Sequence, residues 1–162
     1  MKIFISCSGK LSMEIGKVLR ETLPMMLQTL QPFLAMEDVK LGDFWIKTIK
    51  DILDDSECAI LCLTKENLSS AWIYFEAGIF SKANKTIIPL LIDISYKDLS
   101  KNPLSAYHAV RLEKKSMFSL IQTLNKISDT PLSREFLDKV FNVMWPIMDE
   151  KFQNTINFYK RK

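Results

Sequence analysis

The stretch Trp72-Ile73-Tyr74-Phe75-Glu76 sets one carboxylate amid four large apolar or aromatic residues. Trp72 and Glu76 are four apart, a spacing that stacks them on one helix face, so an indole and a carboxylate line the same groove. A planar ring beside an acid suits the grip of a nucleoside. Burying such a Glu is costly unless its charge is used or compensated, which makes Glu76 the first candidate for a catalytic group. The plainer alternative is a helix-surface Glu that borders the core.

The elements that must position this pair alternate between strand and helix. Ile3-Phe4-Ile5 reads as a buried strand meeting the polar turn Ser6-Cys7-Ser8-Gly9. A helix follows, with Leu11, Ile15, Val18, Leu19 and Leu23 at helical spacing. Pro24 is expected to kink or divide it and Pro32 to end it. Phe33-Leu34-Ala35-Met36 is a weaker second strand, and Glu37 to Gly42 a polar loop with Asp43 as N-cap of the next helix. That helix carries Trp45, Ile49, Ile52 and Leu53 on one side.

Cys58 to Leu63 and Ile87 to Ile92 are apolar without alternation, as in parallel strands covered on both faces, although Pro89 raises an edge position or a bulge for the second. Between them a helix from Ser69 to about Ala83, capped by Ser69 or Ser70, holds Trp72 and Glu76. Ala109-Val110-Arg111-Leu112 supplies a fifth strand. Then helices return, with one stripe of Phe118, Ile121, Leu124 and Ile127, and another of Phe136, Leu137, Val140, Phe141, Met144 and Trp145, interrupted by Pro146. The alternation predicts an α/β fold: a flavodoxin-like, doubly wound parallel sheet of about five strands with helices on both faces and a C-terminal helical extension. Asp129-Thr130-Pro131 is the boundary candidate, giving a domain over residues 1–128 and an extension over 129–162 that packs on the domain or on a partner.

Bulk composition narrows the chemistry. The 162 residues suit one domain, and 48% apolar with 25% charged residues is globular composition. No apolar run approaches the length of about 20 that spans a bilayer, and the N-terminus lacks a secretory h-region. The expectation is a soluble, cytoplasmic protein whose three cysteines, Cys7, Cys58 and Cys62, are reduced core residues. A net charge of +3, with the basic triplet Lys160-Arg161-Lys162 read as a solvated tail, lends nucleic-acid binding little support. One histidine, His108, and an isolated Cys58-x-x-x-Cys62 argue against a metal site.

In open parallel sheets ligands bind at the carboxyl ends of the strands, here the loops Ser6 to Lys10, Glu37 to Gly42 and Thr64 to Ser70. The four glycines, Gly9, Gly16, Gly42 and Gly78, build neither a dinucleotide fingerprint nor a phosphate-binding P-loop, and no serine-hydrolase elbow occurs. The first strand ends in Ser6-Cys7-Ser8, without the acidic cluster of a phosphoryl-accepting receiver. Cleavage of a glycosidic bond by a solitary carboxylate survives this sorting. When a positively charged leaving group such as nicotinamide departs from ribose, an oxocarbenium-like centre develops that one carboxylate can stabilise. Because that group leaves neutral, no second acid is needed, and NAD+ cleavage is compatible with Glu76 alone.

The chain resembles a bacterial Toll/interleukin-1 receptor (TIR) domain. Lys2-Ile3-Phe4-Ile5-Ser6 is similar to the opening strand of that family, Glu37 to Trp45 to the loop after its second strand, and Cys62 to Gly78 to the hallmark region of its bacterial branch, over roughly residues 1 to 128. Trp72-x-x-x-Glu76 corresponds to the catalytic motif of the TIR domains that hydrolyse NAD. The resemblance implies an NAD+ glycohydrolase of antiphage defence that yields ADP-ribose or a cyclic ADP-ribose, with Glu76 as catalytic residue and NAD+ as substrate rather than cofactor. It implies that Asp38, Trp45 and Trp72 border the substrate, with Ser8, Gly9 and Lys10 near its other end. It also implies self-association through TIR–TIR contacts, and a sensor domain or partner protein that supplies the trigger.

Many relatives carry a Ser-His pair where this chain has Ser6-Cys7. The plainer readings are core packing for Trp45 and solvation for Asp38 and Lys10. Two other functions compete: a non-catalytic TIR–TIR interaction module, which has no need of the Trp72 and Glu76 pair, and an enzyme similar to nucleoside deoxyribosyltransferases, which also employs a Glu on a related scaffold.

Overall fold

The computed structural model describes residues 1–34 and 45–161, with backbone only for 45–48. The elements run β1 (Lys2–Ser6), α1 (Lys10–Met26), β2 (Gln31–Leu34), α2 (Trp45–Asp55), β3 (Cys58–Leu63), α3 (Ala71–Lys82), β4 (Thr86–Leu91), a single helical turn α4 (Tyr96–Leu99), a 3-10 turn (Pro103–Ala106), β5 (Val110–Arg111), α5 (Lys114–Ile127) and α6 (Arg134–Lys160). The strands form one parallel sheet in the order β2-β1-β3-β4-β5. No helix of the described residues is long and apolar enough to cross a membrane.

The unbroken apolar runs follow from that sheet. Successive side chains on a strand point to opposite faces, so Cys58, Ile60 and Cys62 of β3 enter one core with α1, α5 and α6, while Ala59, Leu61 and Leu63 enter the other with α2 and α3. All six are fully buried. The chain reverses direction across the sheet at β1, which pairs with β2 on one side and β3 on the other. The carboxyl ends of β1 and β3, at Ser6 and Leu63, therefore flank the topological switch point where ligands collect in such sheets.

The prolines behave differently from the expectation. α1 continues through Pro24 to Met26 without dividing, and Pro32 lies inside β2 rather than ending a helix. β2 begins at Gln31, two residues before the expected start, and Ala35 and Met36 lie outside the described residues. Pro32 is tolerated because β2 is an edge strand: Gln31 N–H donates to Met1 O at 2.9 Å, so by alternation the nitrogen of Pro32 faces away from β1. Pro89 sits in β4 between β3 and β5. Ile92 N–H donates to Leu63 O at 2.8 Å, which turns the Pro89 nitrogen toward β5, where pairing begins only at Leu90. The loop from Glu37 to Gly42 and the cap Asp43 lie outside the described residues.

α6 is one helix of 27 residues that runs through Pro146. Its buried stripe, Leu137, Phe141, Trp145, Met148, Phe152 and Ile156, recurs every three or four residues and joins the core shared with α1 and α5. Phe136, expected within that stripe, is instead 54% exposed, since a one-residue offset from Leu137 turns it about 100° around the helix. The join between α5 and α6 is fixed by Asn125, whose side-chain amide donates to Leu132 O at 2.9 Å and accepts from Leu132 N–H at 2.8 Å. Lys151 pairs with Glu21 of α1 at 2.6 Å.

Candidate active site

β1 delivers Ser6 to the switch point, and Cys7-Ser8-Gly9 turns the chain into α1. Gly9 adopts φ +95°, which side-chain-bearing residues rarely take, and a Cβ there would lie 3.3 Å from Glu66 Oε2. The Ser12 hydroxyl closes the turn by accepting from Ser8 N–H at 3.0 Å and donating to Ser8 O at 2.8 Å. α1 lies close on the sheet at Gly16, where a Cβ would meet Cys7 Sγ at 2.6 Å.

The loop after β3 is tied to the same turn by Asn67, which is 3% exposed. Its Oδ1 accepts from Thr64 N–H at 2.8 Å, and its Nδ2 donates to Cys62 O at 2.9 Å and to Ser8 O at 2.8 Å. One amide thus staples the ends of β1 and β3. α3 starts after Ser70, with its first turn held by Tyr74, whose hydroxyl donates to Leu68 O, and by Asn102, which donates to Leu68 O at 2.8 Å and to Tyr74 Oη at 2.6 Å.

α3 buries Ile73, Glu76, Ala77 and Phe80, so Glu76 occupies the core-facing stripe and not the helix surface. Its carboxylate is fully buried. The Ser6 hydroxyl donates to Oε2, and Oε1 has no hydrogen-bond partner among the described residues. Burial pushes its pKa up to about 7, against the opposing pull of hydrogen bonds from Ser6 and then Trp72. Desolvation dominates because no cation among the described residues compensates it. A carboxyl poised near neutrality at a switch point is a candidate for chemistry, whereas a structural Glu gains nothing from an orphaned oxygen.

Ser8, Gly9, Lys10 and Trp72 line one cavity of about 410 Å³, together with Met13 and Tyr159, a size within the range of small-molecule sites. Trp72 is half-buried, packs against the second core and meets Phe75 with ring centroids 5.3 Å apart, so its indole joins the core to the cavity. Glu76 does not line the cavity; it is linked to it through Trp72 on its own helix and through Ser6, two residues before Ser8. Trp45 opens α2, but its side chain lies outside the described residues, as does Asp38 entirely.

Sequence reading did not single out Asn67, Ser12 or Tyr159. For Asn67 the available signal was a side-chain amide within a strand-to-helix turn, a position where Asn bonds local backbone. For Tyr159 there was none, because its place depends on where a long helix ends in space.

A family profile described as TIR domain matches residues 3–124. No curated protein matches the chain. The chain belongs to the TIR domain family, and the five-stranded parallel sheet with its switch-point site is the architecture in which that membership is realised.

Proposed function

We propose that this TIR domain is an NAD+ glycohydrolase that cleaves the bond between nicotinamide and ribose, with Glu76 as the catalytic residue. The observation that carries the reading is the Glu76 carboxyl: fully buried, unpartnered at Oε1 among the described residues, and raised to about 7 beside Trp72. As the C–N bond of NAD+ breaks, its electron pair returns to the pyridinium nitrogen and nicotinamide leaves neutral. The positive charge passes to the ribose, where the Glu76 carboxylate stabilises it in a water-poor setting that strengthens the interaction. Water then adds to the anomeric carbon and releases a proton, giving ADP-ribose; attack by a ring nitrogen of the adenine instead gives a cyclic ADP-ribose. Because Glu76 has no exposed surface, the reacting bond reaches it only after neighbouring side chains shift.

In this reading Trp72 borders the ribose and its base, Asp38 and Trp45 line the substrate, and Ser8, Gly9 and Lys10 receive its other end. NAD+ is the substrate, and no cofactor or metal takes part. The setting is bacterial antiphage defence in the cytoplasm, with self-association raising activity and a sensor domain or partner protein supplying the signal. The division into a TIR domain over 1–128 and a helical extension over 129–162 belongs to the same proposal.

An interaction module without catalysis has no use for a buried carboxyl with one oxygen unpartnered among the described residues, which weighs against that alternative. Incubating the purified protein with NAD+ and following free nicotinamide across a concentration series tests the reading. Release that grows faster than protein concentration is expected; absence of release at every concentration contradicts it.

A further inference from the structure

We infer that Tyr159, on the helix beyond the family-matched segment, is a substrate-positioning residue that stacks on the adenine base of the dinucleotide. This rests on the NAD+ reading above. The cavity holding Ser8, Gly9, Lys10 and Trp72 has Tyr159 as its contribution from α6. Tyr159 also borders a neighbouring hollow of about 310 Å³, reached by Thr64, Lys65 and Asp93 but not by Trp72. Tyr159 therefore borders both spaces along the carboxyl edge of the sheet, whereas Trp72 borders only the first. Thr64 is 3% exposed and its hydroxyl has no hydrogen-bond partner among the described residues, which leaves a buried donor and acceptor on that second hollow.

The scissile bond must lie by Glu76, which is linked to the first cavity through Trp72 and Ser6 and to the second hollow through neither. The part of the substrate that reaches Tyr159 is the adenosine half. A half-buried phenol ring in a mostly apolar cavity offers a purine the flat, dry face that stacking requires. The ring is held in place from both sides along the chain. Ile156 is buried in the core, Phe158 meets Tyr159 edge-on with centroids 5.3 Å apart, and Lys160 pairs with Asp93 just beyond β4 at 2.7 Å. Tyr159 is thus presented by a fixed helix end rather than a loose tail.

The test compares wild type, Tyr159→Leu and Tyr159→Phe in full-length protein. It follows nicotinamide release from NAD+ and from nicotinamide mononucleotide, ADP-ribose affinity by calorimetry, and melting temperature. Leu keeps apolar bulk without a ring, and the expected result is a KM for NAD+ and an ADP-ribose Kd both raised on the order of tenfold, as for loss of one base stack, with kcat nearly unchanged. Phe should restore both values, the mononucleotide KM should not respond, and all three proteins should melt alike. Unchanged KM and Kd in Tyr159→Leu would overturn the inference while leaving NAD+ cleavage standing. Tyr159-dependent ADP-ribose binding without any nicotinamide release would support the stacking role and overturn the cleavage reading. Neither binding nor release by wild type would overturn both.

Discussion

Replacing Glu76 by Gln should change how stability depends on pH, by an amount set by burial of the carboxyl. In the unfolded chain Glu76 titrates at its ordinary 4.5; in the folded protein it is held up to about 7, chiefly by desolvation. Between those values the native state holds a proton that the unfolded state has lost. Stability from this group is therefore complete below pH 4.5 and is lost as pH rises through about 7. At 1.36 kcal/mol per unit, the loss is about 3 kcal/mol, or roughly 6 to 12 °C in melting temperature for a chain of this length. Gln has no such proton to lose, and any fixed cost of fitting its amide beside Ser6 is the same at every pH. Urea unfolding of both proteins at pH 5 and pH 8 isolates the effect, because all other titrating groups cancel in the comparison. The variant should gain about 2.5 kcal/mol on wild type over that interval, since at pH 5 the unfolded-state carboxyl is still partly protonated. A stability difference that stays constant from pH 5 to pH 8 would refute the claim that the buried carboxyl is held near neutrality.

Trp72→Ala should lower both activity and stability, the latter by about 2 kcal/mol for a half-buried ring; unchanged kinetics together with an unchanged melting temperature would show that the indole lines nothing. Asn67→Ala should cost about 2 to 3 kcal/mol, since it leaves the buried carbonyl of Cys62 and the amide of Thr64 without their partner; chemical denaturation reads this directly. Cutting the chain after Ser128 removes the helix that covers α1 and α5 and bares their apolar residues, so the fragment should aggregate or melt well below the parent. A soluble 1–128 fragment of equal stability would show that α6 is dispensable.

The central strands and the helix carrying Glu76 were legible because burial on both faces leaves a local mark: Cys58 to Leu63 shows no alternation, and Trp72 and Glu76 share a helical face. The prolines were misread for a reason that is not local. Whether Pro32 ends a helix or sits harmlessly in a strand depends on β2 being the sheet edge, and Pro146 is carried by a helix whose residues on either side, Trp145 and Met148, are anchored in the core. The Asn67 staple and the cavity that Tyr159 shares with Ser8 join residues distant in sequence, so no periodicity announces them. Glu76 itself was marked by type and spacing, but its bond to Ser6 spans 70 positions and emerges only from the pairing of β1 beside β3.

The most direct test of the account is nicotinamide release from NAD+ by wild type and Glu76→Gln at equal, high protein concentration, with circular dichroism confirming that both are folded. Wild type should release nicotinamide, with kcat/KM rising as pH climbs through about 7 and Glu76 ionises. The variant should be at least about a hundredfold slower, as when one stabiliser of a developing charge is removed. Equal turnover by a folded Glu76→Gln protein would contradict the assignment of Glu76 as the group that stabilises the ribosyl cation.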